Sequence, residues 1–503
     1  MHTKYSEIKP STLFELCKAL SHVIDEQSFS MDAGVSLAHS GDWSEAPRHC
    51  PGLVIFPRTP MQVAAVLRVL SDRRQPVVIQ GGLTGLAGAA TPQEGEVALS
   101  LTKLNQIEGL DTVGGTVTVQ AGVTLEQLQS HVEAENWFFP MDLGARGSCQ
   151  IGGNASTNAG GNRVLRYGTM RDLTLGIEVA MTDGRLMTML NQSTKNTTGI
   201  DLKHLFIGAE GALGVITRLV LRLSPKPTSI NTALCAMDSF ESATQLLRHL
   251  RAELPALSAF ELMWEDFMVA AVQTQKSAPP FARAYPLYVL IETLGASEGE
   301  DRGLLERALE RALESNLLCD VVVAQSLEDT RKLWAYRESV GEMLAQMKPH
   351  AAFDVGIPIP SMAKFVATTR SELQRRFPQQ SHLFFGHIGD GNLHVLSGAY
   401  GSDKAIHDVE QIVYKAASEV GGCISAEHGI GIIKKEFLPL SRSPIEIEMM
   451  RHLKSLFDPS YVLNPGRVID SLPTALPLSL ATGEKDAAGS CFIVEVLIGD
   501  GLI

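Results

Sequence analysis

Several features that mark particular protein classes are absent from this sequence. The seven cysteines among 503 residues are an odd number without a Cys-x-x-Cys pair, so neither a disulfide framework nor a thiolate zinc site is expected. No run reaches the roughly 18 to 20 apolar residues of a membrane span, and no secretion signal is expected. The net charge of −13, without any Lys/Arg run, argues against nucleic acid as a partner. We therefore predict a cytoplasmic protein that acts on small molecules, with peripheral docking at the inner membrane face left open.

Two common nucleotide-binding motifs are missing as well. The sequence contains neither Gly-x-Gly-x-x-Gly nor Gly-x-x-x-x-Gly-Lys-[Ser/Thr], which excludes a Rossmann fingerprint and a P-loop NTPase. The 44 glycines are instead concentrated in clusters, at 81–88, 144–161, 208–214, 386–391 and 421–431. Clustered glycine indicates places where the backbone comes close to another group.

The first two clusters predict a cofactor site. Residues 81–88 follow a predicted strand, and the amide N–H groups of such a loop can surround a pyrophosphate. Residues 140–161 are 22 positions without a predicted helix or strand of normal length, which is improbable unless a ligand fills the loop. Four of its polar side chains could line an extended polar ligand: Ser148, Asn154, Thr157 and Asn158. One such loop could be structural, but two in one domain favour a cofactor.

The order of predicted helices and strands indicates an α+β protein. Thr59, Pro60 and Gln62 form the capping pattern of a helix, and Asp183-Gly184 predicts a hairpin in an antiparallel or mixed sheet. Two prolines at 224–228 indicate a domain boundary, beyond which helical and strand patterns alternate. We divide the chain into an N-terminal helical segment (1–48), a cofactor domain (49–228), a substrate domain (229–420), a C-terminal segment (421–470) and a tail without an assigned role (471–503).

The sharpest local pattern is FFGHIGDGNLHVLS at 384–397. Two apolar runs flank Asp390-Gly391, which is typical of a two-residue type I′ turn, and in that register His387 lies directly opposite His394. Opposed residues share a sheet face with Cβ atoms about 4.5–5.5 Å apart, so the two imidazoles could bind one metal ion. Glu427, followed by His428, offers a third ligand. A His₂Glu set leaves coordination positions open, as in catalytic metal sites.

The residues alone leave alternatives open. The opposed histidines could be a packing coincidence with Glu427 on the surface, and a hydrolase with a zinc-bound water would use the same three ligands. Arg337 carries the planar cation that a carboxylate substrate needs, although its pattern is more typical of a solvated helix arginine. From these patterns we predict a cofactor-binding domain joined to a domain with a metal site.

In its longest motifs the sequence resembles the FAD-linked D-2-hydroxyacid dehydrogenases of the vanillyl-alcohol-oxidase/p-cresol-methylhydroxylase flavoprotein superfamily. That family includes D-2-hydroxyglutarate and D-lactate dehydrogenases. The resemblance implies an α+β fold in which a two-part FAD-binding domain of the vanillyl-alcohol-oxidase type is joined to an α+β substrate (cap) domain. The motifs follow in unbroken order over about residues 50–470: PRTP, GGLTGLAG, DLGARGSCQIGGN, TNAGGNRVLRYG, LKHLFIGAEGALGVIT, GHIGDGNLH, SAEHGIG and LNPGRV.

The resemblance also implies roles for individual residues. His387, His394 and Glu427 match the ligands of a catalytic divalent metal, usually zinc. His428 matches the proposed base, and Arg337 matches the arginine that binds the substrate carboxylate. No histidine lies in either glycine loop, so we expect FAD to be bound non-covalently. The residues expected to bind it are Gly81, Gly82, Leu83, Thr84, Gly85, Leu86, Pro140, Asp142, Gly144, Ser148, Gly152, Gly153, Asn154, Thr157, Asn158, Gly160, Gly161, Glu210, Gly211, Gly214, Val215, Ile216 and Asn464.

The implied reaction is the oxidation of a D-2-hydroxy acid to the 2-oxo acid. The acid would bind the metal through its hydroxyl and one carboxylate oxygen, His428 would take the hydroxyl proton, and hydride would pass from Cα to flavin N5. No nicotinamide site is predicted. The expected electron acceptor is therefore an electron-transfer flavoprotein, a quinone or a cytochrome, and a homodimer is left open.

The sequence departs from the D-2-hydroxyglutarate dehydrogenases around the substrate. Where those enzymes carry a threonine, a lysine and an asparagine, this chain has Gly341, Ala352 and Leu396. Without the lysine the distal carboxylate of 2-hydroxyglutarate would be unpaired, which is costly unless Lys348 or His350 replaces it. We therefore expect a shorter or less polar D-2-hydroxy acid such as D-lactate, with D-2-hydroxyglutarate as the alternative.

Overall fold

Residues 10–470, the part of the chain that the structure describes, form two units built on separate β-sheets. The structure is a computed structural model. The tail at 471–503 lies outside the described residues. The helices are α1 (Pro10–Leu20), α2 (Ala33–Ala38), α3 (Pro60–Asp72), α4 (Leu125–Glu133), α5 (Ile151–Ser156), α6 (Val164–Tyr167), α7 (Met170–Leu173), α8 (Lys203–Phe206), α9 (Phe240–Glu253), α10 (Glu265–Gln275), α11 (Glu298–Glu314), α12 (Leu327–Glu338), α13 (Val340–Gln346), α14 (Met362–Arg376), α15 (Asp403–Glu419) and α16 (Pro444–Phe457). The strands are β1 (Phe29–Ser30), β2 (Val54–Ile55), β3 (Val77–Gln80), β4 (Val97–Ser100), β5 (Ile107–Asp111), β6 (Thr116–Gln120), β7 (Trp137–Phe138), β8 (Thr174–Ala180), β9 (Leu186–Met189), β10 (Val215–Arg222), β11 (Ser224–Pro225), β12 (Ser229–Met237), β13 (Leu257–Trp264), β14 (Leu287–Gly295), β15 (Asp320–Val323), β16 (His350–Gly356), β17 (Ser381–His387) and β18 (Asn392–Gly398).

The first unit contains a four-stranded sheet, β1-β2-β4-β3, and a five-stranded sheet, β5-β6-β10-β8-β9. In the four-stranded sheet β2, β4 and β3 run parallel, whereas the five-stranded sheet is antiparallel. The prediction of an antiparallel or mixed sheet is confirmed, as is the β8–β9 hairpin around Asp183-Gly184. Helix α3 begins as predicted, because Thr59 Oγ1 accepts the Gln62 N–H at 3.2 Å and Pro60 occupies the first turn.

Both ends of the described chain complete this first unit. Strand β1 pairs with β2, so the N-terminal segment joins the four-stranded sheet. At the other end Leu463 forms a parallel bridge with Val77. Arg467, which is fully buried, makes a bidentate ion pair with Glu96 at 2.6 and 2.7 Å. The C-terminal segment is therefore packed into the cofactor unit.

The second unit is a seven-stranded antiparallel sheet with helices on both faces. Its strand order is β15-β12-β14-β13-β17-β18-β16. The sheet begins at Ser229, directly after the two prolines that indicated a boundary. Helices α9, α11, α14 and α15 pack on one face, and α10, α12 and α13 pack on the other. This helix-on-sheet arrangement is the predicted α+β architecture.

The predicted register of the β17–β18 hairpin is wrong. His387 pairs with Asn392, and His394 pairs with Phe385, because the strands are joined by the four residues 388–391. A type I′ turn needs positive φ at both central residues, but of Asp390 and Gly391 only Gly391 has it, at 91°. The actual register differs from the predicted one by two residues. Side chains alternate with a period of two, so both histidines still lie on one sheet face.

Candidate active site

Polar residues cover one face of the seven-stranded sheet where β13, β17, β18 and β16 lie side by side. They belong to two neighbouring rows of cross-strand partners, whose side chains share one face. The rows are Glu261–His387–Asn392 and Phe385–His394–Asp354. The fold thus brings together residues that are up to 133 positions apart, since 394 − 261 = 133.

The three predicted metal ligands converge beside these rows. His387 Nε2 and His394 Nε2 each lie 3.9 Å from a different carboxylate oxygen of Glu427. The three ligand atoms all lie within 4.8 Å of one another, whereas ligands bound to one zinc ion at about 2.0–2.1 Å lie roughly 3.4 Å apart, so the side chains would move closer together on binding a metal. Burial holds the pKa of His394 well below its usual range, and His387 and Arg337 add to the effect. His394 is therefore neutral and keeps a lone pair for a metal.

Glu261, on β13, binds two of the predicted site residues. Its Oε1 accepts a hydrogen bond from His387 Nδ1 at 2.7 Å, and its Oε2 accepts one from Arg337 Nε at 2.9 Å. A carboxylate bound to one ring nitrogen of a histidine fixes the tautomer, and here Nε2 is the nitrogen that could bind a metal. Burial alone would raise the pKa of Glu261, but His387 and Arg337 hold that pKa below its usual value. Glu261 is not among the residues predicted from the sequence.

Arg337 is buried in the site, against the pattern of a solvated helix arginine. Only 7% of the residue is exposed, and its guanidinium carbon lies 4.6 Å from the centre of the Phe385 ring. Its Nη2 lies 3.3 Å from His387 Nε2. A guanidinium held this close to a metal-ligand set can pair with the carboxylate of an acid that binds there.

Asp354 binds the loop that carries Glu427 and His428. Its Oδ2 accepts the N–H groups of Ala426, Glu427 and His428 at 2.8–3.1 Å. Its Oδ1 lies 3.1 Å from His428 Nδ1 and also accepts a hydrogen bond from Lys434. Burial would raise the pKa of Asp354, but His428 and Lys434 hold that pKa well below its usual range. Because Nδ1 of His428 is engaged, Nε2 is the ring nitrogen left to accept a proton.

The glycine loops of the first unit reach this polar face directly. The Gly161 N–H donates to Glu427 Oε1 at 3.2 Å. The buried Glu210 carboxylate accepts the N–H groups of Ile430 and Gly431 at 2.7 and 2.8 Å. Glu210, which was expected to bind FAD, therefore turns its carboxylate to the loop that follows His428. A cofactor in the glycine loops would lie next to the metal-ligand set.

Many glycines of these loops serve contacts between backbone segments. A Cβ on Gly82 would lie 1.9 Å from the Ser148 carbonyl oxygen, and one on Gly161 would lie 2.2 Å from the Asp142 carbonyl oxygen. A Cβ on Gly144 or Gly153, in contrast, would meet no described atom within 4 Å. The loops thus pack tightly on each other and leave open space beside those two glycines. That arrangement fits an extended ligand bound along the backbone.

The 140–161 loop differs from its prediction in two respects. Helix α5 covers Ile151–Ser156, so the loop is not structureless. Three of its four polar side chains have partners within the protein. Asn154 Nδ2 lies 3.6 Å from Cys149 Sγ, Thr157 Oγ1 donates to the Gly153 carbonyl, and Asn158 Oδ1 accepts the Arg171 N–H. Backbone groups are therefore the main polar groups that this loop offers a cofactor.

The remaining residues predicted to bind FAD lie around these loops. Asn464 joins the segments, since its Oδ1 accepts the Ile79 N–H at 2.8 Å and its Nδ2 donates to the Glu210 carbonyl at 2.6 Å. Val215 and Ile216 have buried side chains in the core of β10, so only their backbone could face a ligand. Leu83 continues the first loop with a positive φ of 58°. The others of the set are Gly81, Thr84, Gly85, Leu86, Pro140, Gly152, Gly160, Gly211 and Gly214, all in or directly beside the loops.

Comparison with known proteins decides the family. The family model described as FAD binding domain matches residues 51–190, and the one described as FAD linked oxidases, C-terminal domain, matches residues 226–468. The mitochondrial D-2-hydroxyglutarate dehydrogenase of Bos taurus is 40% identical over 433 residues, which are 85% of this chain and 78% of the relative. This chain belongs to the FAD-linked D-2-hydroxyacid dehydrogenases.

Two further relatives of this FAD-dependent oxidoreductase cover even more of the chain. The D-2-hydroxyglutarate dehydrogenase of Xanthomonas citri pv. viticola is 37% identical over 450 residues, 88% of this chain and 94% of the relative. A Schizosaccharomyces pombe protein, provisionally named a mitochondrial D-lactate dehydrogenase, is 36% identical over 458 residues, 89% of this chain and 87% of the relative. Because these comparisons show that the chain is an FAD-dependent oxidoreductase, the alternative of a metal-dependent hydrolase is wrong.

Solved structures confirm the fold of this enzyme. p-Cresol methylhydroxylase superimposes with a TM-score of 0.75 at 14% identity, over 92% of this chain and 98% of that one. The 4-ethylphenol oxidase from Gulosibacter chungangensis superimposes with a TM-score of 0.73 at 15% identity, again over 92% of this chain and 98% of that one. The predicted α+β architecture with an FAD-binding domain of the vanillyl-alcohol-oxidase type is confirmed. At such low identity the likeness concerns the fold alone.

The location of the enzyme stays a prediction. Two of the relatives named above are described as mitochondrial, whereas cytoplasmic placement was expected here. Within residues 10–470, no helix is both long and apolar enough to cross a membrane. The electron acceptor and a homodimer are likewise predictions.

Proposed function

We propose that this enzyme oxidises a D-2-hydroxy acid with a short or weakly polar side chain, such as D-lactate, and that a divalent metal, zinc, binds at His387, His394 and Glu427. The observation that carries the proposal is the position of these ligands beside Arg337 and His428, directly next to the FAD loops. A carboxylate anion, an alcohol proton and a hydride acceptor would then meet at one place. That is the requirement of hydroxy-acid oxidation.

The chain's own residues would bind the acid and move its proton. When bound, FAD supplies the hydride acceptor, and the metal supplies a charge that lowers the pKa of the substrate hydroxyl. Arg337 pairs with the substrate carboxylate and is held in place by Glu261. His428 Nε2 accepts the hydroxyl proton, and Asp354 stabilises the positive charge that develops on the ring.

The sheet face beyond His394 supports a weakly polar substrate tail. Leu396 and Ala352 are cross-strand partners in the row after His394 and Asp354. Leu396 is buried in an apolar cluster. The side chain of Lys348 is 63% exposed and faces Glu45 at 3.8 Å. Burial lowers the pKa of His350, which is therefore neutral near pH 7. Lys348 thus faces Glu45 at the surface and His350 is uncharged, which favours a substrate without a distal carboxylate.

The second candidate substrate is D-2-hydroxyglutarate. It is favoured by the names of the Bos taurus and Xanthomonas citri relatives. For reoxidation of the flavin we propose an electron-transfer flavoprotein, a quinone or a cytochrome, supported by the missing Rossmann fingerprint.

A stopped-flow panel of hydroxy acids tests the substrate. Under anaerobic conditions we expect D-lactate to bleach the bound flavin with at least about tenfold higher efficiency than D-2-hydroxyglutarate, since an unpaired carboxylate is costly to bury. L-Lactate should not bleach it. Ala352→Lys should raise the relative efficiency with D-2-hydroxyglutarate about tenfold, whereas the uncharged control Ala352→Met should not. If FAD-loaded protein is not bleached by any D-2-hydroxy acid, the proposed function is wrong.

His387→Ala tests the metal. We expect the variant to lose the metal and substrate-driven bleaching while keeping FAD, because the β17–β18 hairpin lies outside the glycine loops. Metal and flavin are measured per protein by elemental analysis and absorbance. His382→Ala is the matched control on the same strand, since the His382 ring faces away from the site and binds Ser397 and the Phe377 carbonyl. Loss of FAD together with the metal would contradict separate binding.

A further inference from the structure

Asn392 is buried beside the metal ligands without a hydrogen-bond partner for its side chain. The residue is 4% exposed, and neither its Oδ1 nor its Nδ2 has a partner within the described chain. Its backbone N–H, in contrast, donates to Asp390 Oδ1 at 3.1 Å. A buried amide with both polar atoms unpaired destabilises a fold, and an apolar residue of similar size would avoid the cost. The amide is therefore free to pair with a bound ligand.

The strand register places this amide in the site. Asn392 is the cross-strand partner of His387 on β17 and of Gly356 on β16. It lies two positions from His394 on the same strand, so its side chain shares their face. The loop that precedes it packs Gly389 against Leu165 of the first unit. Asn392 thus directly follows a hairpin loop that contacts the first unit.

The neighbouring polar residues already have partners. Glu261 binds His387 and Arg337, and Asp354 binds Lys434 and the loop around His428. Among the polar side chains of the two rows, the Asn392 amide and the His394 ring make no hydrogen bond to another described residue. An amide N–H is a suitable donor to a carboxylate oxygen, and it carries no charge that would compete for the metal.

We propose that Asn392 is a substrate-binding residue whose Nδ2–H donates to the carboxylate of the hydroxy acid, complementing Arg337. The inference rests on the proposed function. The substrate, rather than the flavin, is the expected partner because Asn392 lies directly opposite His387, one of the ligands of the metal to which the acid would bind. The amide would thus orient the acid for hydride transfer.

Asn392→Leu separates binding from structure. With FAD bound, we expect its unfolding midpoint to be equal to or above that of the wild type, because an unpaired amide is removed. The dissociation constant for pyruvate, the product of D-lactate oxidation, should rise about 10- to 100-fold, as expected for loss of a hydrogen bond to a charged group. Titration of the flavin spectrum measures it. Asn392→Asp should weaken pyruvate binding further, since like charges would face each other. Asn105→Leu, at an exposed position, is the control.

Each result decides the inference. An unchanged dissociation constant for pyruvate in a stable Asn392→Leu variant would overturn it, and so would loss of FAD or an altered spectrum of the free flavoprotein. If Asn392→Leu does not fold, Asn392→Ala and Asn392→Asp are judged by the same titration. A wild type that D-lactate and the other D-2-hydroxy acids fail to bleach marks the failure of the proposed function, and this inference falls with it. If D-lactate bleaches the wild type but Asn392→Leu binds pyruvate as tightly as the wild type does, this inference alone is wrong.

Discussion

Asp354→Asn is expected to slow substrate-driven flavin reduction by about 10²- to 10⁴-fold, the usual contribution of a positioned general base. The carboxylate holds three consecutive backbone N–H groups of the 426–428 segment through one oxygen, and it faces His428 Nδ1 with the other. An asparagine would replace one of these acceptor oxygens with a donor. The loop would shift, and His428 would lose the group that stabilises its protonated ring.

Stopped-flow bleaching by D-lactate measures the effect, with metal and flavin content determined for each variant. His428→Gln is the matched variant that removes the proposed base and leaves Asp354 with its loop contacts. It should slow reduction while keeping the metal, whereas Asp354→Asn should also weaken metal binding through Glu427. Asp408→Asn is the control, because that carboxylate makes a half-exposed ion pair with Arg376 at 3.3 Å. A wild-type reduction rate in Asp354→Asn would show that the contact is dispensable.

The two histidines proposed to bind the metal illustrate what local sequence can predict. The 384–397 pattern predicts that its two histidines share one sheet face, and they do, even though the predicted register is wrong by two residues. The reason is the two-residue period of a strand, which makes the face insensitive to an even shift. The pairing itself depended on turn geometry, and Asp390 does not adopt the positive φ that the predicted turn requires.

Glu261 and Asp354 show why the supporting residues were missed. Glu261 lies 126 residues before the His387 ring that it binds, and the two meet only because β13 and β17 are neighbours in the sheet. Strand order of this kind is not encoded in any local pattern. A clue was nevertheless present, since both acids interrupt apolar strands, in AFELMW and AFDVG. A buried carboxylate needs a partner, so each of them indicated a polar contact without naming it.

The glycine clusters predicted where the cofactor site lies better than they predicted which atoms make the contacts there. Glycine indicates that something approaches the backbone closely, but it does not say what. At Gly82 and Gly161 the approaching group is another backbone carbonyl, whereas Gly144 and Gly153 are open. The motif around Glu210 likewise predicts a cofactor contact, yet the Glu210 carboxylate binds two backbone N–H groups just after His428. Local composition located the cofactor unit, and tertiary packing decided which atoms face the ligand.

Arg467→Met is expected to destabilise the cofactor unit by about 3–5 kcal/mol, the usual result of removing one partner of a buried ion pair. Arg467 and its ion-pair partner Glu96 are each 1% exposed, and Arg467 also donates to the Pro465 carbonyl at 3.0 Å. The substitution would leave the Glu96 carboxylate buried without a cation. Because Asn464, three residues earlier, binds both Ile79 and Glu210, we also expect weaker FAD retention.

The double variant Glu96→Leu/Arg467→Met separates the charge from the packing. Replacing both partners with apolar residues removes the uncompensated charge, so this variant should recover at least half of the lost stability, although the Pro465 carbonyl would still lack its donor. Urea unfolding of the FAD-loaded enzyme, followed by flavin fluorescence, measures both variants. Arg442→Met is the control, because its exposed contact with Glu446 at 3.9 Å should be worth less than about 1 kcal/mol. If the double variant is no more stable than Arg467→Met, the loss comes from the shape of the arginine and its carbonyl contacts. The buried charge would then not be the cause.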